Sequence, residues 1–533
     1  MRNALIAAVS FGLAGLATPA SAQTFPTDDP VLRQMWQLGM VNGQSAGLAQ
    51  TLLDSIGGRL TGTPPLDQGH DWLVHMYRSW GIEARKEQYG TWTGWRRGIT
   101  HIDMLTPRVR TLEGTLLGWS AGTSGPVTGD VILFPEVSSP EAFQQWLPQV
   151  RGRFVLLEYP RLSCRPASQW QQYGQAGRGG RGGRGGRGGG AATPSSYERL
   201  QLRQDSLGGL YAARLRAADG GQGNPASRLR TALEQAGAAG VLHSNWSNQT
   251  GINKVFTANT RAIPALDLSC EDYGLLFRLA ENHQSPTIRV NAEAEFLGDV
   301  PTFNTIATIP GTELPNEYIL LSAHFDSFDS SSGATDNGTG TITMLEAMRI
   351  LKQAYPNPRR TILAGHWAGE EQGLNGSRAF AADHPEIVAG LQALLNQDNG
   401  TGRVVNISMQ GLVNVASNFG DWLSRIPTEI SGHISLGIPG SPGGGGSDYA
   451  SFICAGAPAF SLSALSWDYG SYTWHTNRDT YDKVVIDDLE NNATLTAMLA
   501  YLASEDDRLD RTRRVGTTWP QCRDGARTAP GGN

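Results

Sequence analysis

The sequence predicts an α/β protein: a helix-flanked, mixed and mostly parallel sheet, with a β-rich segment inserted ahead of it. Three observations lead there. From about residue 296 onward, short apolar runs alternate with runs of helical periodicity, the order that builds a parallel sheet covered by helices. Between about 125 and 295 the text turns to short β-like runs set off by glycine and proline. The acidic and histidine side chains fall just after the later strands, at the edge where open α/β sheets bind ligands.

Taken in order, residues 1–22 read as a secretory signal. Arg2 is followed by an apolar run from Ala4 to about Ala17, and Ala20-Ser21-Ala22 supplies a small-x-small cleavage site. The run is short for a ~30 Å hydrocarbon layer, which argues against a retained anchor. No later stretch reaches ~20 continuous apolar residues. The expected location is therefore secreted or periplasmic, with no transmembrane segment in the mature chain. Residues 23–124 open with helical text from Asp29 to about Ile82, then a strand-rich region from about Thr91 to Leu117. Within 125–295, "GDVILF" and "GRFVLLEY" read as strands, and a helix around Ser227–Ala239 leads into "GVLH". An arginine-glycine repeat at 177–190 cannot bury a core. It lacks the interleaved aromatics of a base-stacking surface, so a tolerated loop expansion is the simpler reading than a polyanion contact.

Residues 296–506 carry the alternating pattern. "TFNTIATI" and "EYILLSAH" read as strands, "GTGTITMLEAMRILKQA" as a helix and "RRTILAGHW" as a strand. "SRAFAADH" follows as a helix, "LQALLNQD" and "APAFSLSAL" as strands, and "DDLENNATLTAMLAYLAS" as the closing helix. The tail, 507–533, is polar.

Composition narrows the function. With 533 residues, 39% of them apolar, the chain can build several cores and is not globally disordered. Acidic groups (49) outnumber basic ones (43), so no specific nucleic-acid partner is expected. Cys164, Cys270, Cys454 and Cys522 allow three full pairings; Cys164 with Cys270 is favoured, because both fall in the inserted segment. No C-x-x-C is present, so a thiolate zinc knot is not indicated.

The chemistry lies in "AHFDS", "GATDNGTG", "WAGEEQG", "NQDNG" and "YTWHTNRDT". These phrases bring His324, Asp326, Asp336, Glu370, Glu371, Asp398 and His475 toward one sheet edge. Two histidines with several carboxylates and no nearby cysteine suit zinc or a similar divalent ion. The surplus of carboxylates argues for two ions with one acid shared between them. Adjacent glutamates point differently, so one can bind metal while the other serves as general base toward a water. His366, inside an apolar strand, reads as a core residue. Tyr449, Tyr472 and Trp474 are candidate pocket walls or oxyanion partners.

With "GSDYASF" and "WHTNRDTYDKV", this series resembles the M28 co-catalytic zinc exopeptidases, a family that includes bacterial aminopeptidases and the carboxypeptidase Q group. The likeness spans about 296–506, and "IGGRLTGTPPLDQGHDWLVHMYRSWGI" resembles the family's N-terminal helices. It implies a zinc exopeptidase fold with two Zn2+: His324 and Asp398 on one, Glu371 and His475 on the other, and Asp336 bridging. Glu370 would be the general base, Asp326 the partner that orients His324, and the peptide between Asp336 and Asn337 cis. Segment 125–295 resembles a protease-associated (PA) domain. The implied activity is hydrolysis of the bond after a free N-terminal residue, in peptides or dipeptides, with a homodimer as the candidate assembly. A single-zinc glutaminyl cyclase and a non-catalytic binding module on the same fold are the competing readings.

Overall fold

The computed structural model describes residues 28–166, 196–219, 225–398 and 400–507. The expected signal (1–22), the arginine-glycine repeat (177–190), Cys522 and nearly all of the tail lie outside them. The strands in chain order are β1 (Glu83–Thr106), β2 (Arg110–Thr111), β3 (Gly114–Leu116), β4 (Val127–Leu133), β5 (Phe154–Leu156), β6 (Gly240–His243) and β7 (Ala265–Leu268). After them come β8 (Thr287–Ile309), β9 (Leu314–His324), β10 (Arg360–Trp367), β11 (Leu391–Asn396), β12 (Val404–Ser408), β13 (Ser435–Gly437) and β14 (Ala459–Ala464). They join in one mixed sheet ordered β13-β12-β14-β11-β9-β10-β8-β4-β5-β6-β7-β3, with β1 along β8.

Strands β14, β11, β9 and β10 run parallel to one another at the centre of the C-terminal half of the sheet, while β12 and β8 flank them antiparallel. All eight residues of β10 and all six of β11 are buried, as expected of strands covered on both faces. Alternation divides their side chains between two cores. Ile319, Leu321, Ala323, Ile362 and Ala364 face the cluster that also takes Met344, Leu345 and Met348 of helix Thr339–Ala354 and Leu495 and Leu499 of helix Ile486–Glu505. Leu320, Leu363 and Trp367 face the other way, onto Phe380 and Phe452. Each fully buried Leu or Ile contributes ~2 kcal/mol. The sequence helices therefore sit where the periodicity put them, on both sides of the sheet.

Residues 125–295 contribute to further cores, one of which joins Ile102, Met104, Leu112 and Leu116 to Leu242, Leu266, Ile288 and Val290. Residues on both sides of position 125 thus share one apolar cluster. The connection to the C-terminal half of the sheet is a ribbon: β1 and β8 pair antiparallel from Glu83↔Thr308 to Thr106↔Thr287. The far end of β8 pairs with β10 and its near end with β4. Cys164 and Cys270 form the favoured disulfide. No helix among the described residues is long and apolar enough to cross a membrane.

Candidate metal centre

Three neighbouring strand ends, the segment before helix Thr339–Ala354 and one late loop supply the site. His324 is the last residue of β9, and its Nδ1 donates to the Asp326 main-chain carbonyl at 2.9 Å, leaving Nε2 aimed outward. The expected role of Asp326 changes in detail. Its carboxylate lies 3.7 Å from the ring, too far for a hydrogen bond, so the main-chain oxygen fixes the tautomer. The carboxylate instead accepts from the Glu370 and Glu371 amides (3.2 and 3.3 Å) and from the Thr61 hydroxyl (3.2 Å).

Asp336 lies just before helix Thr339–Ala354, and its peptide to Asn337 is cis, as the resemblance implied. The Thr335 and Asp336 amides donate to the Asp479 carboxylate at 2.8 and 3.0 Å. Gly333 turns the chain into this segment at φ 58°, and a Cβ there would stand 2.3 Å from that of Ser327. Behind the turn, the buried Arg59 guanidinium donates to the carbonyls of Gly57, Phe325, Ser332 and Gly333. The N-terminal "GGRLTG" thereby ties the His324 and Asp336 segments together.

Glu370 and Glu371 follow β10, and Asp398 follows β11. His475 sits in the late loop at φ 59°, its ring among Phe256, Phe328 and Trp474. The inserted segment holds this loop: Val255 N–H donates to the His475 carbonyl at 2.8 Å, and the Asn477 amide donates to the Asn253 carbonyl at 3.0 Å. Lys254, from the same stretch, lays its ammonium 4.2 Å from the Trp474 ring centre.

The ligand atoms converge in two groups sharing Asp336: His324, Asp336 and Asp398, and Asp336, Glu371 and His475. Within each group they lie within 4.8 Å of one another. His324 Nε2 is 3.1 Å from Asp398 Oδ1 and 3.4 Å from Asp336 Oδ1. His475 Nε2 is 2.8 Å from Glu371 Oε2 and 3.3 Å from Asp336 Oδ2. Asp336 thus presents one oxygen to each imidazole. Asp336 Oδ2 and Glu371 Oε1 are buried without a hydrogen-bond partner. Burial and the neighbouring acids hold the carboxyls of Glu370 and Glu371 well above the usual range. Burial tends to lower His324, but Asp398 and Glu370 raise it well above the ordinary imidazole value. Orphaned oxygens in a crowd of buried acids are what divalent cations relieve. The donor set of imidazole nitrogens and carboxylate oxygens suits zinc.

A cleft of about 440 Å³ opens over these groups, lined by Asp336, Glu370, Glu371, Asp398 and His475 together with Tyr469, Trp474 and Arg378. Of the three aromatic candidates, Trp474 is on the wall. Tyr449 is half-buried, its hydroxyl 3.4 Å from the carbonyl of Gly445, which lines the cleft. Tyr472 packs instead under Lys483. Sequence reasoning passed over Tyr469, whose phenol is pushed up by burial and by Asp336. It also passed over Asp448, buried with both oxygens unpartnered and raised by burial to about 7. "GSDYASF" carried the signal for Asp448; nothing in "DYGSYTWH" singled out Tyr469.

Residues 304–500 match the model of peptidase family M28. Through this segment the chain is similar to the peptidases of family M28. It is accordingly a hydrolase of the zinc metallo-exopeptidase class. Carboxypeptidase Q of Mus musculus is 25% identical over 462 residues, which cover 86% of this chain and 85% of the relative. In fold, the chain is similar to the peptidase M28 precursor from Shewanella amazonensis SB2B (TM-score 0.63, 22% identity, 90% of this chain and 96% of the other). It is also similar in fold to BSAP, a zinc aminopeptidase from Bacillus subtilis (TM-score 0.54, 16% identity, 88% and 96%).

Proposed function

We propose that this chain is a secreted or periplasmic two-zinc exopeptidase that cleaves the bond after a free N-terminal residue of a peptide or dipeptide. The observation that carries the reading is Asp336, whose two oxygens face His324 and His475 at 3.4 and 3.3 Å. His324 and Asp398 would hold one ion, Glu371 and His475 the other, and Asp336 both. Bound zinc supplies Lewis acidity, lowering the pKa of a water and polarising the scissile carbonyl. Glu370 stands beside the ligand set with a raised affinity for protons. It takes the proton of the attacking water and returns it to the leaving amine. Asp326 fixes the glutamate pair by accepting from both amides. Tyr469 and Trp474 wall the cleft, and the inserted segment, read as a PA-like domain over 125–295, steadies the His475 loop through Asn253 and Val255. The second ligand group weighs against a single-zinc cyclase, and an intact Glu370 against a non-catalytic binding module.

Glu370→Gln tests the reading. It should keep both metals and lose about 10²- to 10⁴-fold in kcat on dipeptides or amino-acid anilides, the span of general-base catalysis. Unchanged turnover would reject the assignment.

A further inference from the structure

The acidic character of the cleft has one exception. Among the described residues that line it, Arg378 is the single lysine or arginine, in the same lining as Asp336, Glu370, Glu371 and Asp398. It stands in helix Asn375–Asp383, close in the chain to the glutamate pair. Its main-chain amide donates to the Leu374 carbonyl at 3.1 Å. Its guanidinium has no hydrogen bond or ion pair among the described residues, although the residue is half-buried. Other enclosed arginines are paired: Arg97 with Asp329 at 2.7 Å, Arg349 with Glu346 at 2.6 Å, Arg360 with Glu317 at 2.6 Å. Lys254, which reaches the rim from the stretch beside Asn253 and Val255, is already committed to Trp474 and to the Gly470 carbonyl at 3.3 Å.

Once divalent ions offset the carboxylates, Arg378 is the charge left over, and a neutral peptide body gives it carbonyl oxygens but no opposite charge. A carboxylate does, because the planar guanidinium fork matches its two oxygens. We propose that Arg378 binds the free C-terminal carboxylate of the substrate and makes the enzyme selective for dipeptides over longer or amidated peptides. This rests on the exopeptidase reading above. Chain geometry supplies the length limit: each further residue carries the carboxylate another ~3.3–3.6 Å from the attacked bond, out of reach of a side chain fixed on a helix.

The experiment compares kcat/KM of the zinc-loaded enzyme for Leu-Leu and for Leu-Leu amide, in wild type, Arg378→Gln and Arg378→Lys. A charge-assisted contact predicts a preference for the free carboxylate of about 10- to 100-fold in the wild type, carried mainly by KM. In Arg378→Gln that ratio should fall toward one, and Arg378→Lys should recover part of it. A wild-type ratio near one overturns the proposal, as does a ratio unchanged in Arg378→Gln or an equal loss on both substrates, which would mark a structural role. Faster cleavage of Leu-Glu amide than of Leu-Leu would assign the guanidinium to an acidic side chain instead and also overturn it. If the wild type turns over neither Leu-Leu nor its amide, the exopeptidase reading itself falls.

Discussion

His366 shows how a single residue separates structure from chemistry. It lies on β10 with no exposed surface, and its Nε2 shares a hydrogen bond with the Tyr77 hydroxyl at 2.6 Å. Burial holds its pKa down to about 3. The unfolded chain's imidazole takes up a proton near pH 6.5, while the folded one stays neutral. The unfolded state therefore binds the extra proton between about pH 6.5 and 3. Stability falls as pH drops through that window, by up to ~1.4 kcal/mol per unit. Thermal unfolding of a Tyr77→Phe/His366→Leu double variant, which leaves no orphaned partner, should show a flatter acid side than the wild type. An identical pH dependence would contradict this. At the same scale, Arg59→Met removes four carbonyl partners from a buried site and should cost about 3 kcal/mol or more in denaturant unfolding. The candidate ligands were legible because the chemistry demands specific residue types after specific strands. Arg378 and Tyr469 were not, because loop and helix residues that line a cleft carry no periodic signature. Which tyrosine faces inward depends on left-handed turns at Asp468 and His475 (φ 59° at each) that the text does not announce.

Among the elements, the strands that bear ligands were the most readable, since β9, β10 and β11 are short apolar runs ending in polar groups. The ribbon was read only in part. β1 runs from Glu83 and β8 from Thr287, yet their outer stretches, with "GTWTGWRRG" and "AEAEFLGDVP", mix charge, glycine and proline. Register shifts at Gln88/Gly90, Gly94/Trp95 and Arg97/Thr100 absorb those interruptions, and cross-strand pairing overrides the weak local signal. The disulfide belongs to this scale too. It joins residues 106 apart, so it excludes a large part of the unfolded ensemble. Cys164→Ser/Cys270→Ser should lower the stability of the inserted segment by about 2–5 kcal/mol. Limited proteolysis should then cut within 125–295 first, whereas uniform resistance would speak against a separate contribution.

For the whole molecule, candidate ligands, sheet edge and the loop contacts from Asn253 and Val255 form one arrangement. The fold class follows from alternation of strands and helices. The border at 125 is less sharp than the text implies, because Ile102 to Leu116 share a core with residues beyond it. A boundary read from composition cannot see a cluster built from both sides. Ligands that bind only the folded state stabilise it by mass action, so chelation should lower the melting temperature and added zinc should restore it. An unchanged melt would mean that no ion is held. The most direct test is anomalous diffraction at the zinc edge from crystals of the metal-loaded enzyme. Two peaks ~3.5–4 Å apart on either side of Asp336, one near His324 and Asp398 and one near Glu371 and His475, are the expected result. A single peak, or none within reach of these five side chains, would contradict the account.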